Sequence, residues 1–407
     1  MPFVIFVAPF FSDPASRTMA AIAGLPGVRL GVIGRQAQEE APDYLRGRLT
    51  AHWRVDDVLD PGQLVWAARG LSSLVGEPIA RMWGSLEQAQ VPIAEAREQL
   101  GIAGMSAETT RAFRDKSKMK DILRAAGVPC ARHALVRSLD EGRAAAQRIG
   151  FPLVVKPPDG AGSVGTFRVE NEDQLLVALS ASTPSAEHPV LLEEFIVGSE
   201  HSLETISIDG EAVWHSLTHY RPTPLEVVRN QWIQWCVLLP REVDDPAYDD
   251  IKRAAADGLA ALGMQSGLTH LEWFRRQDGS VAIGEVGARP PGAQITTMVS
   301  RANDFDFLQE WARTIIYGEF RQPVRQFAVG TAFLRGQGSG TVRAVHGLET
   351  VQRLFGHLVC DHRLPYIGMG RTGSYEGEGF IIIRHPETAV VSDALEQIVS
   401  LIHVELG

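Results

Sequence analysis

Residues 268–287 constrain this chain more than any other stretch, because folding them about Asp278-Gly279 sets two carboxylates face to face. The runs 268–274 and 280–286 read as strands, and Asp-Gly is the preferred two-residue hairpin turn. With Gln277 paired to Ser280, the register carries Glu272 opposite Glu285 and His270 opposite Gly287. Like charges facing each other across a ladder are destabilising, so such a pair calls for a cation or a shared proton. Two solvated glutamates on an exposed face are the plain alternative. The following residues argue against it, since Glu285 opens Glu-Val-Gly-Ala-Arg289-Pro-Pro-Gly292 and brings a fixed cation beside the acids. All-oxygen ligation by carboxylates points to magnesium or manganese and not to zinc. Acids, metal and arginine together read as a phosphate site.

The partner for the phosphates lies upstream. Residues 151–156 form a short apolar strand ending in Lys156, followed by Asp159-Gly-Ala-Gly-Ser-Val-Gly165 and a second strand at 166–169. Closely spaced glycines let a backbone approach a ligand and turn its N–H groups toward phosphate oxygens. This loop is neither a P-loop nor a dinucleotide fingerprint: the lysine precedes the glycines, and the chain returns as a strand instead of opening a helix. In isolation such a loop is usually only a turn. Here Lys156 stands at the strand end, where its ammonium can reach phosphates as a point charge. A third segment, residues 190–197, is an apolar strand interrupted by Glu193 and Glu194 and followed by Gly198-Ser-Glu200. An ordinary charged edge strand has this look, but its polar end also suits a purine edge, and an acid just after it suits ribose hydroxyls.

The order of these motifs resembles the ATP-grasp superfamily over residues 114–292. The run Arg114-Asp-Lys116-Ser-Lys-Met-Lys-Asp-Ile-Leu-Arg-Ala-Ala-Gly-Val-Pro129 looks like the start of the ATP-grasp domain. The resemblance implies ATP binding by Lys116 and Lys156, and a mobile phosphate-covering loop that includes Gly162, Ser163, Val164 and Gly165. It implies an adenine hinge at Glu193, Glu194, Phe195 and Ile196, and a ribose acid at Glu200. Glu272 and Glu285 match the acids that bridge two magnesium ions, with manganese as a substitute, and Arg289 matches the arginine on the transferring phosphate. One position departs from the pattern: Gly287 stands where an asparagine usually supplies a third metal ligand. Ser266-Gly-Leu-Thr-His270-Leu-Glu272, and the segment Gly84-Ser-Leu-Glu87 that leads to Gly101, are similar to the carboxylate-amine ligase branch, including L-amino acid ligases. His270, beside Glu272, is a candidate for a catalytic or substrate-binding role.

At 407 residues the chain is long enough for two to four structural units. Strands alternate with helices over residues 1–110, a doubly wound α/β pattern without the Gly-x-Gly-x-x-Gly of a nicotinamide site. A helix at 115–126 stopped by Gly127 and Pro129 then leads into a central and lid portion, 111–191. The catalytic sheet is expected at 192–322 and a small α+β unit at 323–407. The fold class is thus α/β and α+β multidomain, an ATP-grasp fold with an N-terminal doubly wound domain, a lid and a C-terminal unit. A net charge of −10 without a basic block speaks against nucleic acid. Cys130, Cys236 and Cys360 are odd in number and widely spaced, which suits a reducing cytoplasm and not a disulfide framework. The apolar run 2–8 is too short to span a membrane.

The resemblance implies a ligase that joins a small carboxylate and a small amine through an acylphosphate, as a homodimer. Formyl or carboxyl transfer to a nucleotide-precursor amine, and an ATP-binding module without catalysis, are the alternatives. His215 and His219 share a strand face without a third ligand nearby, so a structural role is favoured over a metal. Trp232 and Trp235 are read first as packing residues and second as pocket walls. The loop 368–379 is read either as a long turn or as a cover over substrate.

Overall fold

The computed structural model describes residues 1–160, 165–230 and 233–407. The first strand, Phe3–Val7, is buried along its whole length, which is the signature of a strand covered on both faces. It lies in a four-stranded parallel sheet in the order Ala51–Arg54, Arg29–Gly34, Phe3–Val7, Ile79–Gly84. Helices Asp13–Ala23, Pro61–Val75 and Gln90–Leu100 alternate with these strands, as the doubly wound pattern requires.

Asp115 ends one helix, Ala107–Arg114, and caps the next, Lys116–Ala125, by accepting from the N–H groups of Ser117 at 2.9 Å and Lys118 at 3.0 Å. This cap places Lys116 at the first helical position. An antiparallel sheet follows in the order His133–Val136, Val190–Glu194, Leu153–Lys156, Phe167–Val169. Helices Leu139–Ile149 and Glu172–Ser182 pack on it through Ala145, Ile149, Leu175 and Leu179.

The largest sheet has eight strands, in the order Val281–Gly287, Gly267–Arg276, Gly198–Ile208, Glu211–Arg221, Trp235–Leu239, Ala328–Leu334, Gly379–His385, Val359–Arg363. Adjacent strands of this sheet are antiparallel. The C-terminal α+β stretch therefore continues the sheet that holds the two acids, and adds a two-stranded ribbon of Val342–His346 with His403–Leu406. One face of the central strands packs on helix Asp249–Leu262 through Leu203, Leu217, Leu271 and Trp273. The other lines a cavity. Among the described residues, no helix is long and apolar enough to cross a membrane.

Candidate active site

The hairpin reaches the expected juxtaposition by an unexpected route. Gln277 does not pair with Ser280: the Arg276 N–H donates to the Ser280 carbonyl at 2.8 Å, and the Gly279 N–H donates back to Arg276 at 3.0 Å. The loop is thus three residues long, with Gly279 at φ 84° where a side chain would be strained. The ladder runs Arg275 to Val281 and Trp273 to Ile283, then shifts by one residue between Trp273 and Glu272, and Glu272 meets Glu285. Two one-residue offsets cancel, and His270 still faces Gly287.

Cations neutralise the facing acids. Lys116 Nζ lies 2.9 Å from Glu285 Oε1 and also donates to the Gly160 carbonyl at 2.6 Å, at the mouth of the glycine loop. His270 Nε2 lies 3.6 Å from Glu272 Oε1, and its Nδ1 lies 2.9 Å from Glu204 Oε1. Glu204 is fully buried and accepts from the hydroxyls of Ser202 at 2.6 Å and Thr218 at 3.0 Å. Burial would push the His270 imidazole down, but hydrogen bonds and charge from Glu204 and Glu272 raise it to about 9. Burial likewise opposes ionisation of Glu272, and the His270 hydrogen bond and charge, with Lys156 and Arg289, hold it at about 2.

Glu193 is the centre of a second cluster. Its two oxygens lie 2.9 Å from Lys120 Nζ and 2.9 Å from Lys156 Nζ. Burial would raise this carboxyl, yet the two lysines hold it at about 2. Lys120 also donates to the Gly284 carbonyl, at the ladder shift. Both Glu193 oxygens are therefore already engaged by lysines. The Glu194 side chain turns away to Arg132 and Arg276, so its segment can offer backbone to the cavity. Phe195 lies under the Arg168 guanidinium at 3.9 Å. Glu200 is buried, and burial, with Glu272 nearby, pushes its carboxyl well up.

Arg289 donates through Nε at 2.9 Å and Nη2 at 2.7 Å to one oxygen of Glu87, whose other oxygen accepts from Arg114 at 3.1 Å. Lys116, Lys156, Glu193, Glu194, Phe195, Ile196, Glu200, His270, Glu272, Glu285 and Arg289 all border one cavity of about 470 Å³. Gly165 is not among its lining residues; it stands at φ 69° against Pro157. Gly162, Ser163, Val164 and Trp232 lie outside the described residues. The sequence reading missed Lys120, Glu204 and Glu87 as site residues. Lys120 was detectable as the i+4 neighbour of Lys116 on one helix face. Glu204 was detectable as the same-face partner of Glu200. Glu87 carries no local signal of its long-range contact.

Among the described residues, no three His, Cys, Asp or Glu side chains converge to form a closed metal cage. Two carboxylates facing a cavity fit magnesium, which takes its remaining ligands from phosphates and water. A closed zinc site does not fit.

Residues 121–305 match the model of the ATP-grasp domain. The chain is 27% identical over 285 residues to an L-arginine-specific L-amino acid ligase of Bacillus subtilis, covering 68% of this chain and 67% of the relative. It is 28% identical over 251 residues to an alanine–anticapsin ligase of Bacillus subtilis strain 168, covering 56% of this chain and 52% of the relative. The chain thus spans between about half and two thirds of the length of these curated relatives. The fold matches that of a Bacillus licheniformis L-amino acid ligase with a TM-score of 0.78, at 20% identity, over 100% of this chain and 99% of that one. It also matches an N5-carboxyaminoimidazole ribonucleotide synthetase of Thermotoga maritima with a TM-score of 0.71, at 16% identity, over 100% of each chain.

Proposed function

Since residues 121–305 match the ATP-grasp domain, we propose that this chain is an ATP-dependent ligase that joins the carboxylate of one small molecule, an amino acid by this reading, to the amine of another. The observation that carries the reading is the pair Glu272 and Glu285, facing each other within one cavity that also holds Lys116, Lys156 and Arg289. The similarity to named amino acid ligases supports the substrate class.

Magnesium held by Glu272 and Glu285 would neutralise the β- and γ-phosphates of ATP. Lys116 and Lys156 hold the phosphates in line with the attacking carboxylate, and the backbone and side chains of 193–200 hold the nucleoside. The carboxylate oxygen attacks the γ-phosphorus and the bond to the β-phosphate oxygen breaks, which gives acylphosphate and ADP. The amine nitrogen then attacks the acyl carbon, the bond from that carbon to the bridging oxygen breaks, and phosphate leaves while the proton lost by the nitrogen passes to the departing phosphate, with Arg289 stabilising the charge on the oxygens. Glu193, braced between Lys120 and Lys156, fixes the second lysine without touching ATP through its carboxylate. Holding both reactants together supplies about 7 to 11 kcal/mol of the barrier, so few acid–base groups are needed. A cytoplasmic homodimer is the setting we assign, and light scattering of the purified chain checks the assembly.

Transfer to a nucleotide-precursor amine is the second reading, supported by the fold likeness to a ribonucleotide synthetase. Such a substrate brings its own phosphate, which calls for a further Arg or Lys cluster. The described basic residues around the cavity are Lys116, Lys156, Arg168, His270 and Arg289, most of them on the nucleotide side or beside the acids. The deciding experiment is phosphate release from ATP and magnesium over a matrix of paired amino acids, with mass spectrometry of positive wells. Release that needs both partners, with a product one water lighter than their sum, establishes the ligase; release only with bicarbonate or formate and a phosphorylated amine replaces it by the second reading.

A further inference from the structure

Tyr220, Trp235 and Tyr375 border the same cavity as Arg289, and their ring contacts make one aromatic side, or lobe, of it. Trp235 stacks on Tyr220 with ring centroids 5.9 Å apart and meets Tyr375 edge-on at 5.0 Å. Its far side stacks on Phe333 at 4.9 Å, and its indole N–H donates to the Pro222 carbonyl at 3.0 Å. At 1% exposure Trp235 is a packing residue that backs the wall presented by Tyr220 and Tyr375. Leu225 and Ile295 add aliphatic surface.

Tyr375 comes from the loop between strands Val359–Arg363 and Gly379–His385, and that loop is tied down on both sides of the ring. Glu376 accepts from the Ala293 N–H at 3.1 Å and from Gln294 Nε2 at 3.4 Å. Glu378 accepts from the N–H groups of Gly336 at 2.6 Å and Thr372 at 2.9 Å. Ala293 and Gln294 stand at φ 53° and 57°, a backbone state that non-glycine residues hold only when surroundings impose it. Glu376 is part of that imposition, so the C-terminal loop and the Arg289 turn fix each other. A Cβ on Gly292 would stand 3.1 Å from the Tyr375 hydroxyl, so the phenol reaches this close because position 292 carries no side chain.

We propose that this lobe is a subsite for the large apolar or aromatic side chain of an α-amino acid, and that Tyr375 is the residue that sets its size. The inference rests on the ligase reading, which supplies the amino acid, while the lobe supplies the side-chain class. Aromatic walls gain by burying apolar area and by edge or offset contact with another ring, and a glycine would leave them against water. Tyr220 and Trp235 lie inside the span matched by the family model, whereas Tyr375 comes from the C-terminal portion outside it, so the residue that sets the size stands apart from the residues assigned to the phosphates.

Titration of the full chain with L-phenylalanine, L-leucine and glycine, in magnesium and a non-hydrolysable ATP analogue, tests this without turnover. L-phenylalanine and L-leucine are expected to bind about tenfold more tightly than glycine or better. Tyr375→Ala is expected to weaken L-phenylalanine by about tenfold while glycine and the nucleotide analogue are unchanged, and Tyr375→Phe to retain the preference. Gly292→Ala, which pushes the phenol into the lobe, is expected to favour L-leucine over L-phenylalanine. Equal affinities for all three amino acids, equal weakening of all three in Tyr375→Ala, or no amino acid binding overturns the proposal. Phosphate release without this binding pattern rejects the lobe and keeps the ligase; the binding pattern without phosphate release in any pairing rejects the ligase and keeps the lobe.

Discussion

The strands Gly198–Ile208, Glu211–Arg221 and Gly267–Arg276 bury histidine on both of their faces, with opposite results. On the cavity face His270 sits between Glu204 and Glu272 and is held at about 9. On the helix face His201 stacks on Trp273 at 4.5 Å and meets His219 edge-on at 4.6 Å, while His219 Nε2 lies 3.1 Å from the Tyr248 hydroxyl. Burial pushes these two imidazoles down, to about 3 and about 4. The same side chain is a stored cation on one face and a neutral packing ring on the other. The period of two along each strand delivers the difference, because it sends glutamates to one side and aromatic and aliphatic groups to the other.

The contrast is broken most severely at the acids. Glu285→Ala and Lys156→Ala are each expected to lower ATP turnover by about a hundredfold to a thousandfold, read as phosphate release, with the melting transition retained. A substantial residual rate in both variants would sink the assignment of chemistry to the cavity face. Next in size is Glu204→Ala, which removes one partner of a buried charge pair and is expected to cost about 3 to 5 kcal/mol in chemical denaturation. His201→Phe, a replacement in apolar and aromatic surroundings, is expected to cost less than about 1.5 kcal/mol.

The two faces also set opposite edges of the pH-stability profile. His201 and His219 have folded values below the unfolded 6.5, so their contribution is complete above pH 6.5 and falls away as pH drops toward 4 and 3. His270 has a folded value above 6.5, so its contribution is complete below pH 6.5 and is lost as pH rises through about 9. Each edge is worth on the order of a few kcal/mol. Denaturation midpoints across pH should show the acid edge flattened in His201→Phe/His219→Phe and the alkaline edge flattened in His270→Gln; an unchanged profile in both would refute the assignment of charge. The smallest effect belongs to Gly279→Ala, about 1 kcal/mol from the left-handed φ at the hairpin tip, with turnover untouched because the ladder shift lies between the tip and the acids.

The pairing of Glu272 with Glu285 was legible because turn chemistry and alternation are local signals. The route was not: a glycine in a strand, Gly284, marks the shift only once the Phe274 ring, 2.9 Å from where its Cβ would stand, is known. Lys116, Lys156 and Arg289 were legible as charges at element ends. The partners of Arg289 and His270 were not, since Glu87 lies 202 residues from Arg289 and Glu204 lies 66 residues from His270. Of the C-terminal strands, Ala328–Leu334 and Gly379–His385 were legible and Val359–Arg363 was not, and sequence periodicity says nothing about which sheet a strand joins; these three join the sheet of the acids.

Glu87 ties three separate stretches of the chain together. It follows the last strand of the parallel sheet, and its two oxygens are divided between Arg114, which precedes the capped lysine helix, and Arg289, which follows the acids. A fragment trimmed to the matched span 121–305 would keep both carboxylates of the hairpin but lose Glu87, Arg114, Lys116 and Lys120. Its arginine would lose the Glu87 carboxylate and Glu285 the Lys116 ammonium. A chain in which the first hundred residues are mispacked would lack the carboxylate that orients Arg289, so on the function proposed above competence for chemistry and completion of folding would arrive together.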